Sequence, residues 1–296
     1  MIRLKFAIEL KYEIAEQPAD FVFNIHPART PWQTVVSESL AISPPTEHLL
    51  HTDPALGNRY LRLRAQPGPL VVRHEALVDI DHHRESPAVL EEVPIAKIPP
   101  QVLAFIYPSR YCQSDQLRRF AGREFGHLRP GYWRVQAIHD WVRQRVAFTT
   151  GSSNSSTSAL ETLVEQVGVC RDFAHLMIAL CRALNIPARF VTGIDYGAAV
   201  QLGPPDFHAY VETFLGDRWY AFDPTGITAP MGLVRIGTGR DAADVSFATM
   251  FGSVRSQAPL ISIMAIDDPA NGYHLPHHSP QALSTSSETP IATPLH

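Results

Sequence analysis

Apolar and charged residues alternate at the start of the chain, in the run Met-Ile-Arg-Leu-Lys-Phe-Ala-Ile-Glu-Leu-Lys-Tyr. A period of two places alternate side chains on one face, which is the pattern of a half-buried β-strand. Similar runs follow through the first hundred residues, separated by proline, glycine and asparagine. The strands predicted in this part of the chain are 5–12, 19–25, 32–43, 58–65 and 70–79. Short strands at this spacing predict a small sandwich or barrel.

The pattern changes to a helical period after a proline-rich linker at 93–100. Apolar residues three and four positions apart predict amphipathic helices. The predicted helices are 131–146, 159–166 and 170–185, and the strands predicted after them are 188–194, 207–215 and 218–223. Helices followed by neighbouring strands indicate a second, α+β unit.

Three segments follow from these patterns. Residues 1–100 form a β-rich first domain, and residues 101–265 form the α+β domain. Residues 266–296 are rich in proline, serine, threonine and histidine, so we expect a disordered tail that buries little apolar surface. Its histidines at 274, 277 and 278 are expected to be solvated rather than metal-bound.

Composition narrows the function classes. The chain has 296 residues, a formal net charge of −4 and 45% hydrophobic residues, so charge gives no case for nucleic acid or an anionic membrane as partner. No apolar run approaches the ~18 residues of a spanning helix, and no secretory signal is recognised. Three cysteines, Cys112, Cys170 and Cys181, do not make a disulfide framework, so we expect a cytoplasmic location.

Cys170 stands where a Gly-Val-Cys step opens an apolar helix. The positive end of the helix dipole and the unpaired N–H groups of the first turn favour a thiolate there. His208 and Asp223 follow on two predicted strands that are joined at Gly216-Asp217, a pair typical of a two-residue hairpin turn. That turn places Asp223 opposite residue 210, and therefore on the same face as His208 at a diagonal position. A cysteine, a histidine and an aspartate in this arrangement suggest a nucleophile, its base and a group that orients the base.

Neighbouring residues are weaker candidates. Asp172 and His175 project about 200° and 140° away from Cys170 on the helix, so we expect them to be structural. Cys181 lies about 16 Å along the helix from Cys170, too far for a disulfide or a shared metal. No cysteine and histidine positions show the short spacing of structural zinc sites, and neither a metal nor a cofactor is expected.

Four sequence segments together resemble the bacterial transglutaminase-like superfamily, whose members are often labelled cysteine proteases. The segments are Gly-Val-Cys-Arg-Asp-Phe-Ala-His at 168–175, Asp-Phe-His-Ala-Tyr at 206–210, Phe-Asp-Pro at 222–224 and Ile-Gly-Thr-Gly-Arg-Asp-Ala-Ala-Asp-Val at 236–245. The resemblance extends over about 107–252, and the first hundred residues look like the N-terminal domain that accompanies this core.

The resemblance implies an α+β fold of the papain or transglutaminase type, with a helix-start cysteine packed on an antiparallel sheet. It also implies that Cys170 is the nucleophile, His208 the general base and acid, and Asp223 the orienter of His208. The backbone N–H of Cys170 is one expected oxyanion donor. Candidates for lining the cleft or supplying a second donor are Tyr111, Trp133, Trp141, Gln166 and Asp241.

Three functions stay open at this point. The first is a cysteine hydrolase that acts on peptide, isopeptide or glutamine amides of a protein or peptide substrate. The second is a transamidase that uses the same thioester with an amine acceptor, and the third is a non-catalytic binding module. An ordered Cys-His-Asp set favours the two enzymes, and hydrolysis is the first choice of the two. The sequence does not indicate an oligomeric state.

Overall fold

The computed structural model describes residues 1–198 and 205–290 and has the α+β fold predicted from the sequence. The helices in these ranges are α1 (Ser114–Phe125), α2 (Tyr132–Arg145), α3 (Ala159–Glu165) and α4 (Cys170–Ala183). None of them is long and apolar enough to cross a membrane. The strands in the same ranges are β1 (Ile2–Ile14), β2 (Ala19–Phe23), β3 (Gln33–Ser43), β4 (His48–Thr52), β5 (Arg59–Ala65), β6 (Gly68–Ile80), β7 (His83–Glu85), β8 (Ala147–Phe148), β9 (Val167–Gly168), β10 (Ala188–Asp195), β11 (Phe207–Leu215), β12 (Arg218–Phe222), β13 (Leu233–Gly239), β14 (Ala248–Phe251), β15 (Val254–Ser256), β16 (Leu260–Ile266) and β17 (Ala282–Ser284).

Two antiparallel sheets form the β-rich first unit. One has the order β15–β1–β6–β3, with β16 also pairing with β1, and the other has the order β14–β2–β5–β4. The alternation in β1 explains the packing, because every second side chain of this strand is buried. These side chains, from Ile2 to Ile14, share one hydrophobic core with β2, β5 and β6.

Three late strands return to this first unit. β14 pairs with β2, while β15 and β16 pair with β1. Residues 248–266 are therefore part of the first unit's sheets, although the sequence placed most of them in the second domain. Strand partners that lie more than 220 residues apart leave no signal in the local sequence. The strand pattern alone therefore did not assign residues 248–266 to the first unit.

The second unit is built around α4 and a sheet with the order β12–β11–β10–β13. α4 is buried from Asp172 to Ala183 and packs against α1, α2 and α3 as well as β10 and β11. Two side chains of the first unit join the units by hydrogen bonds to β13, namely Gln33 to the backbone of Arg235 and Asn58 to the backbone of Thr238. The sheet that carries the candidate site is thus fixed to the first unit along its edge strand β13.

The predicted hairpin register between β11 and β12 is confirmed. Leu215 pairs with Arg218 and Val211 with Phe222, as a two-residue turn requires. Gly216 occupies the left-handed region with φ 60°, which glycine adopts without a steric penalty.

The predicted disordered tail is wrong for residues 266–290, while residues 291–296 lie outside the described ranges. β16 runs to Ile266, β17 pairs with β7, and Leu283 is buried in the core of the first unit. The composition of the tail indicated too little apolar surface to offset the chain entropy that is lost on ordering. Polar contacts supply the missing stabilisation.

Ser286 provides most of those contacts. Its hydroxyl accepts hydrogen bonds from Arg189 (2.9 Å) and Arg235 (2.8 Å), and its carbonyl accepts one from Arg218 (2.9 Å). All three guanidinium groups are buried, and buried charges are costly without hydrogen-bond partners. The arginines of the β10–β13 sheet therefore hold the tail in place.

Replacing Ser286 with alanine is expected to lower the free energy of unfolding by about 3 kcal/mol, because two bonds from charged donors lose their acceptor. Ser287 is exposed, so Ser287→Ala is the matched control and is expected to change stability by less than about 0.5 kcal/mol. Urea denaturation of the two variants measures the difference. Equal stabilities would show that the hydroxyl of Ser286 does not hold these arginines.

Candidate active site

Cys170 is the first residue of α4, and the local sequence explains its position. The carboxylate of Asp172 accepts a hydrogen bond from the backbone N–H of Val169 at 2.8 Å, which closes the first turn of the helix. A Cβ at Gly168 would lie 2.7 Å from the Cβ of Asp172, so only glycine fits there. The Gly-Val-Cys step is thus required by the packing of the helix start, and Asp172 has the structural role expected of it.

Accessibility separates the three cysteines. Cys170 is half-buried, whereas Cys112 and Cys181 are fully buried. Burial raises the pKa of Cys112 to about 12, and it also raises the pKa of Cys181. Cys170 is consequently the thiol available for chemistry, and its Sγ lies 4.0 Å from the carbonyl oxygen of Phe207 at the start of β11.

His208 and Asp223 meet beside this thiol. The confirmed register places them on one face of the sheet, and the Nε2 of His208 lies 3.1 Å from the Oδ2 of Asp223. Both atoms are buried, and neither has another hydrogen-bond partner in the part of the chain that the structure describes. The histidine and the aspartate therefore interact with each other as a buried pair.

The protonation of this pair follows from its surroundings. Burial by itself lowers the pKa of an imidazole, but the charge of Asp223 and hydrogen bonds to Asp223 and Cys170 raise the pKa of His208 well above 6.5. Burial opposes the charge of Asp223 as well, yet His208 and Thr225 lower the pKa of this carboxyl below its usual 3.8. An imidazolium and a carboxylate at neutral pH follow.

The other carboxylate oxygen of Asp223 is held by Thr225. The hydroxyl and the backbone N–H of Thr225 donate to Oδ1 at 2.7 and 3.1 Å. His139 on α2 contacts the backbone oxygen of Asp223 through Nε2 at 2.8 Å. The sequence analysis named neither residue, although Asp-Pro-Thr carries the signal of an aspartate bonded to the N–H two residues on.

Asp195 is a third polar residue near the pair that the sequence analysis did not single out. Gly193 on β10 pairs directly with His208, and Asp195 lies two positions further along on the same face. Burial raises the pKa of Asp195, with a further increase from the neighbouring charge of Asp223. The sequence offered a signal for this residue, because Asp195 is the last residue of β10, the strand that pairs with the strand of His208.

Four of the five residues predicted to line the cleft or to supply a second oxyanion donor make other contacts, and the fifth, Trp133, is exposed on α2. The backbone N–H of Tyr111 donates to Asp241 at 2.9 Å, and the Tyr111 hydroxyl donates to the carbonyl of Ser155 at 2.8 Å. Trp141 packs edge-on against two phenylalanines of α1, and Gln166 is exposed at the end of α3 with φ 57°. The hydrogen bonds and ring contacts of these four residues in the described ranges do not involve Cys170, His208 or Asp223. A role in substrate binding for them stays a prediction.

His175 is structural, as the helix geometry indicated. Its Nε2 accepts a hydrogen bond from the backbone N–H of Ala242 at 3.2 Å, and its ring stacks on Tyr111. Burial lowers the pKa of His175 well below 6.5, so this ring is neutral. His208 is therefore the charged imidazole near Cys170.

Thr225→Val removes the hydroxyl that fixes Asp223 while keeping the shape of the side chain. We expect kcat/KM of the proposed reaction to fall roughly tenfold, because one hydrogen bond to a charged group is lost. Thr225→Ser keeps the hydroxyl and is expected to stay within about twofold of the unaltered protein. Steady-state kinetics on all three proteins test this, and equal loss in both variants would contradict a positioning role for the hydroxyl.

The fold and the site together define a papain-like α+β protein with a Cys-His-Asp arrangement between a helix start and an antiparallel sheet. The chain belongs to the transglutaminase-like superfamily, whose core model matches residues 119–224. A second model, described as the N-terminal domain of bacterial transglutaminase, matches residues 2–101. The predicted resemblance and the predicted fold are thereby confirmed.

One solved structure is similar along almost the whole chain. It is a crystal structure from Cytophaga hutchinsonii described as a "putative cysteine protease", with 39% identity, a TM-score of 0.87 and coverage of 96% of this chain and 97% of that one.

Uncharacterized mycobacterial proteins are more distant relatives. One from Mycobacterium leprae is 31% identical over 120 residues, which is 38% of this chain and 42% of that protein. One from Mycobacterium tuberculosis is 29% identical over 143 residues, which is 45% of this chain and 46% of that protein. The match thus spans less than half the length of these curated relatives.

Proposed function

We propose that this protein is a cysteine-dependent acyl-transfer enzyme that hydrolyses amide bonds of a protein or peptide substrate. The observation that carries the proposal is the accessible helix-start thiol of Cys170 beside the buried pair of His208 and Asp223. A scaffold has no need for a raised imidazole pKa next to its one accessible thiol. The family and the description of the Cytophaga relative support the same class of reaction.

The first half of the proposed reaction is acylation. The Cys170 thiolate attacks the amide carbonyl carbon, and the charge that develops on oxygen is stabilised by the backbone N–H of Cys170 at the helix start. The C–N bond then breaks as His208 donates its proton to the departing amine. A thioester on Cys170 and a neutral imidazole remain.

The second half resolves the thioester. His208 takes a proton from water, the resulting hydroxide attacks the thioester carbon, and the C–S bond breaks to give a carboxylic acid, which loses its proton to solvent, and the Cys170 thiolate beside the protonated His208. Asp223 holds the imidazole through Nε2, which leaves the other ring nitrogen to face the thiol and the water. Water balances the reaction without another co-reactant.

A transamidase is the second candidate, and one comparison favours it. The first hundred residues match the N-terminal domain of bacterial transglutaminase. In that reaction the amine of a second substrate replaces water in the resolving step, with the same residues in the same roles. The two functions therefore differ only in the acceptor of the thioester.

Ammonia release from a glutamine peptide, measured with and without added primary amine, distinguishes the candidates. Hydrolysis predicts ammonia release together with a glutamate product whether or not the amine is present, and a peptide library cleaved at backbone amides also supports it. Amine incorporation into the peptide would identify a transamidase. If neither peptide class is turned over, while residues 1–100 of the full chain are needed to capture a protein partner, the binding-module function is correct and the proposal is wrong.

A further inference from the structure

A second cluster of polar side chains lies inside the first unit, away from Cys170. His74 on β6 is fully buried, His26 after β2 is 2% exposed, and Glu38 on β3 lies beside them. Leu40 pairs with His74, so Glu38, two residues before Leu40, shares the face of His74. The cluster therefore sits where the two sheets of the first unit face each other.

The imidazoles of this cluster lack partners. The Nδ1 of His26 and both ring nitrogens of His74 are buried and have no hydrogen-bond partner in the described ranges. Buried polar atoms in native proteins are almost always paired, and a group left without a partner calls for a specific explanation such as a bound ion. Three such atoms in two adjacent rings make this the strongest concentration of unpaired buried nitrogen in those ranges.

The spacing of the cluster matches a metal coordination sphere. The Nε2 of His74 lies 3.5 Å from the Oε2 of Glu38. Ligands of a tetrahedral zinc ion at 2.0–2.1 Å stand about 3.4 Å apart, which is close to this separation. One ligand atom from each of the three residues lies within 4.8 Å of the others, so no pair has to close by more than about 1.4 Å, which side-chain rotations can supply.

Glu38 keeps its capacity to bind an ion although it is already hydrogen-bonded. Arg59 donates to its two oxygens at 2.6 and 2.9 Å, which uses one lone pair of each. Carboxylates that bind metals are commonly oriented by such outer partners. Arg29, which also donates to Glu38, is exposed and free to move toward solvent.

We propose that His26, Glu38 and His74 form a binding site for one divalent transition-metal ion, with zinc as the best match to two imidazoles and a carboxylate. The ion would connect β3 and β6 of one sheet to the end of β2 in the other, and so cross-link the sandwich. Its ligands are 12 and 36 residues apart, which is why no short spacing in the sequence indicated it. Glu38 is the partly exposed member of the cluster and provides the route of entry.

Titration with zinc, followed by isothermal calorimetry and thermal unfolding, tests the site. The measurement is made in a Cys170→Ala background so that zinc binding to the accessible thiol does not contribute. We expect one zinc ion per chain, a rise in Tm, and a cobalt(II) spectrum with the intense bands of tetrahedral coordination.

Three ligand variants and two control variants decide the assignment. His26→Gln, Glu38→Gln and His74→Gln are each expected to weaken zinc binding by at least about 100-fold. His51→Gln and His277→Gln replace exposed histidines and serve as controls that keep full affinity. Absence of the Tm rise, or unchanged affinity in a folded His26→Gln or Glu38→Gln protein, would overturn the proposal and leave the cluster as an ion-paired part of the core.

Discussion

Replacing Cys170 with alanine is expected to reduce kcat/KM for amide turnover by at least about 10⁴-fold, because no other group can form the thioester. Cys112 and Cys181 are buried and cannot reach a substrate. Cys170 is half-buried, and its polar contacts are a long one to the carbonyl of Phe207 and one to His208, so the variant is expected to keep its Tm within a few degrees. Steady-state kinetics and thermal unfolding on the same preparation measure both quantities.

Cys181→Ala is the matched control for this variant. It lies in the same helix and removes a sulfur atom from the core, so it is expected to keep its turnover rate while losing about 1 kcal/mol of stability. A Cys170→Ala protein with more than a tenth of the original kcat/KM would contradict nucleophilic catalysis by this thiol. The opposite pattern, with Cys181→Ala inactive, would place the chemistry elsewhere in the helix.

Asp223→Asn is expected to lower kcat/KM by about 10²–10⁴-fold, since the amide neither stabilises the imidazolium nor selects its tautomer. The pH profile should change in a defined direction. Asp223 raises the pKa of His208, so His208 keeps its proton above pH 6.5 and acylation fails only when the pH rises through that higher pKa. Without the carboxylate the pKa falls, and the alkaline limb of kcat/KM moves to lower pH.

Asp217→Asn provides the control for this prediction. Asp217 is exposed in the turn of the same hairpin, and its replacement is expected to leave both the rate and the alkaline limb unchanged. An alkaline limb at the same pH in Asp223→Asn and in the unaltered protein would mean that Asp223 does not set the protonation of His208. A lower kcat/KM with an unshifted alkaline limb would mean that Asp223 has only a structural role.

The sequence predicted those parts of the fold that depend on local patterns. The alternation of β1 is visible in the burial of Ile2 to Ile14, and the turn at Gly216 set the register that brings His208 to Asp223. The Gly-Val-Cys step also has a local cause, because Gly168 makes room for the capping side chain of Asp172. The core of the candidate site could therefore be derived before any coordinates were known.

Features that depend on distant partners were not predictable in the same way. β16 pairs with β1 from more than 240 residues away, and the tail is ordered by Ser286 on buried arginines rather than by apolar residues. The cluster of His26, Glu38 and His74 is likewise assembled by the sandwich and not by spacing. Thr225 was within reach of the sequence analysis, since an aspartate followed two residues later by a threonine is a local turn signal.

The most direct test of the central claim is the rate of covalent labelling by a thiol-directed, peptide-based activity probe, read by intact mass and peptide mapping. The unaltered protein is predicted to take up one label, at Cys170, and Cys170→Ala none. His208→Ala is predicted to react at least about 100-fold more slowly, because the thiolate loses its imidazolium partner. Labelling shared equally among Cys112, Cys170 and Cys181, or an unchanged rate in a folded His208→Ala protein, would contradict a nucleophilic thiolate supported by His208.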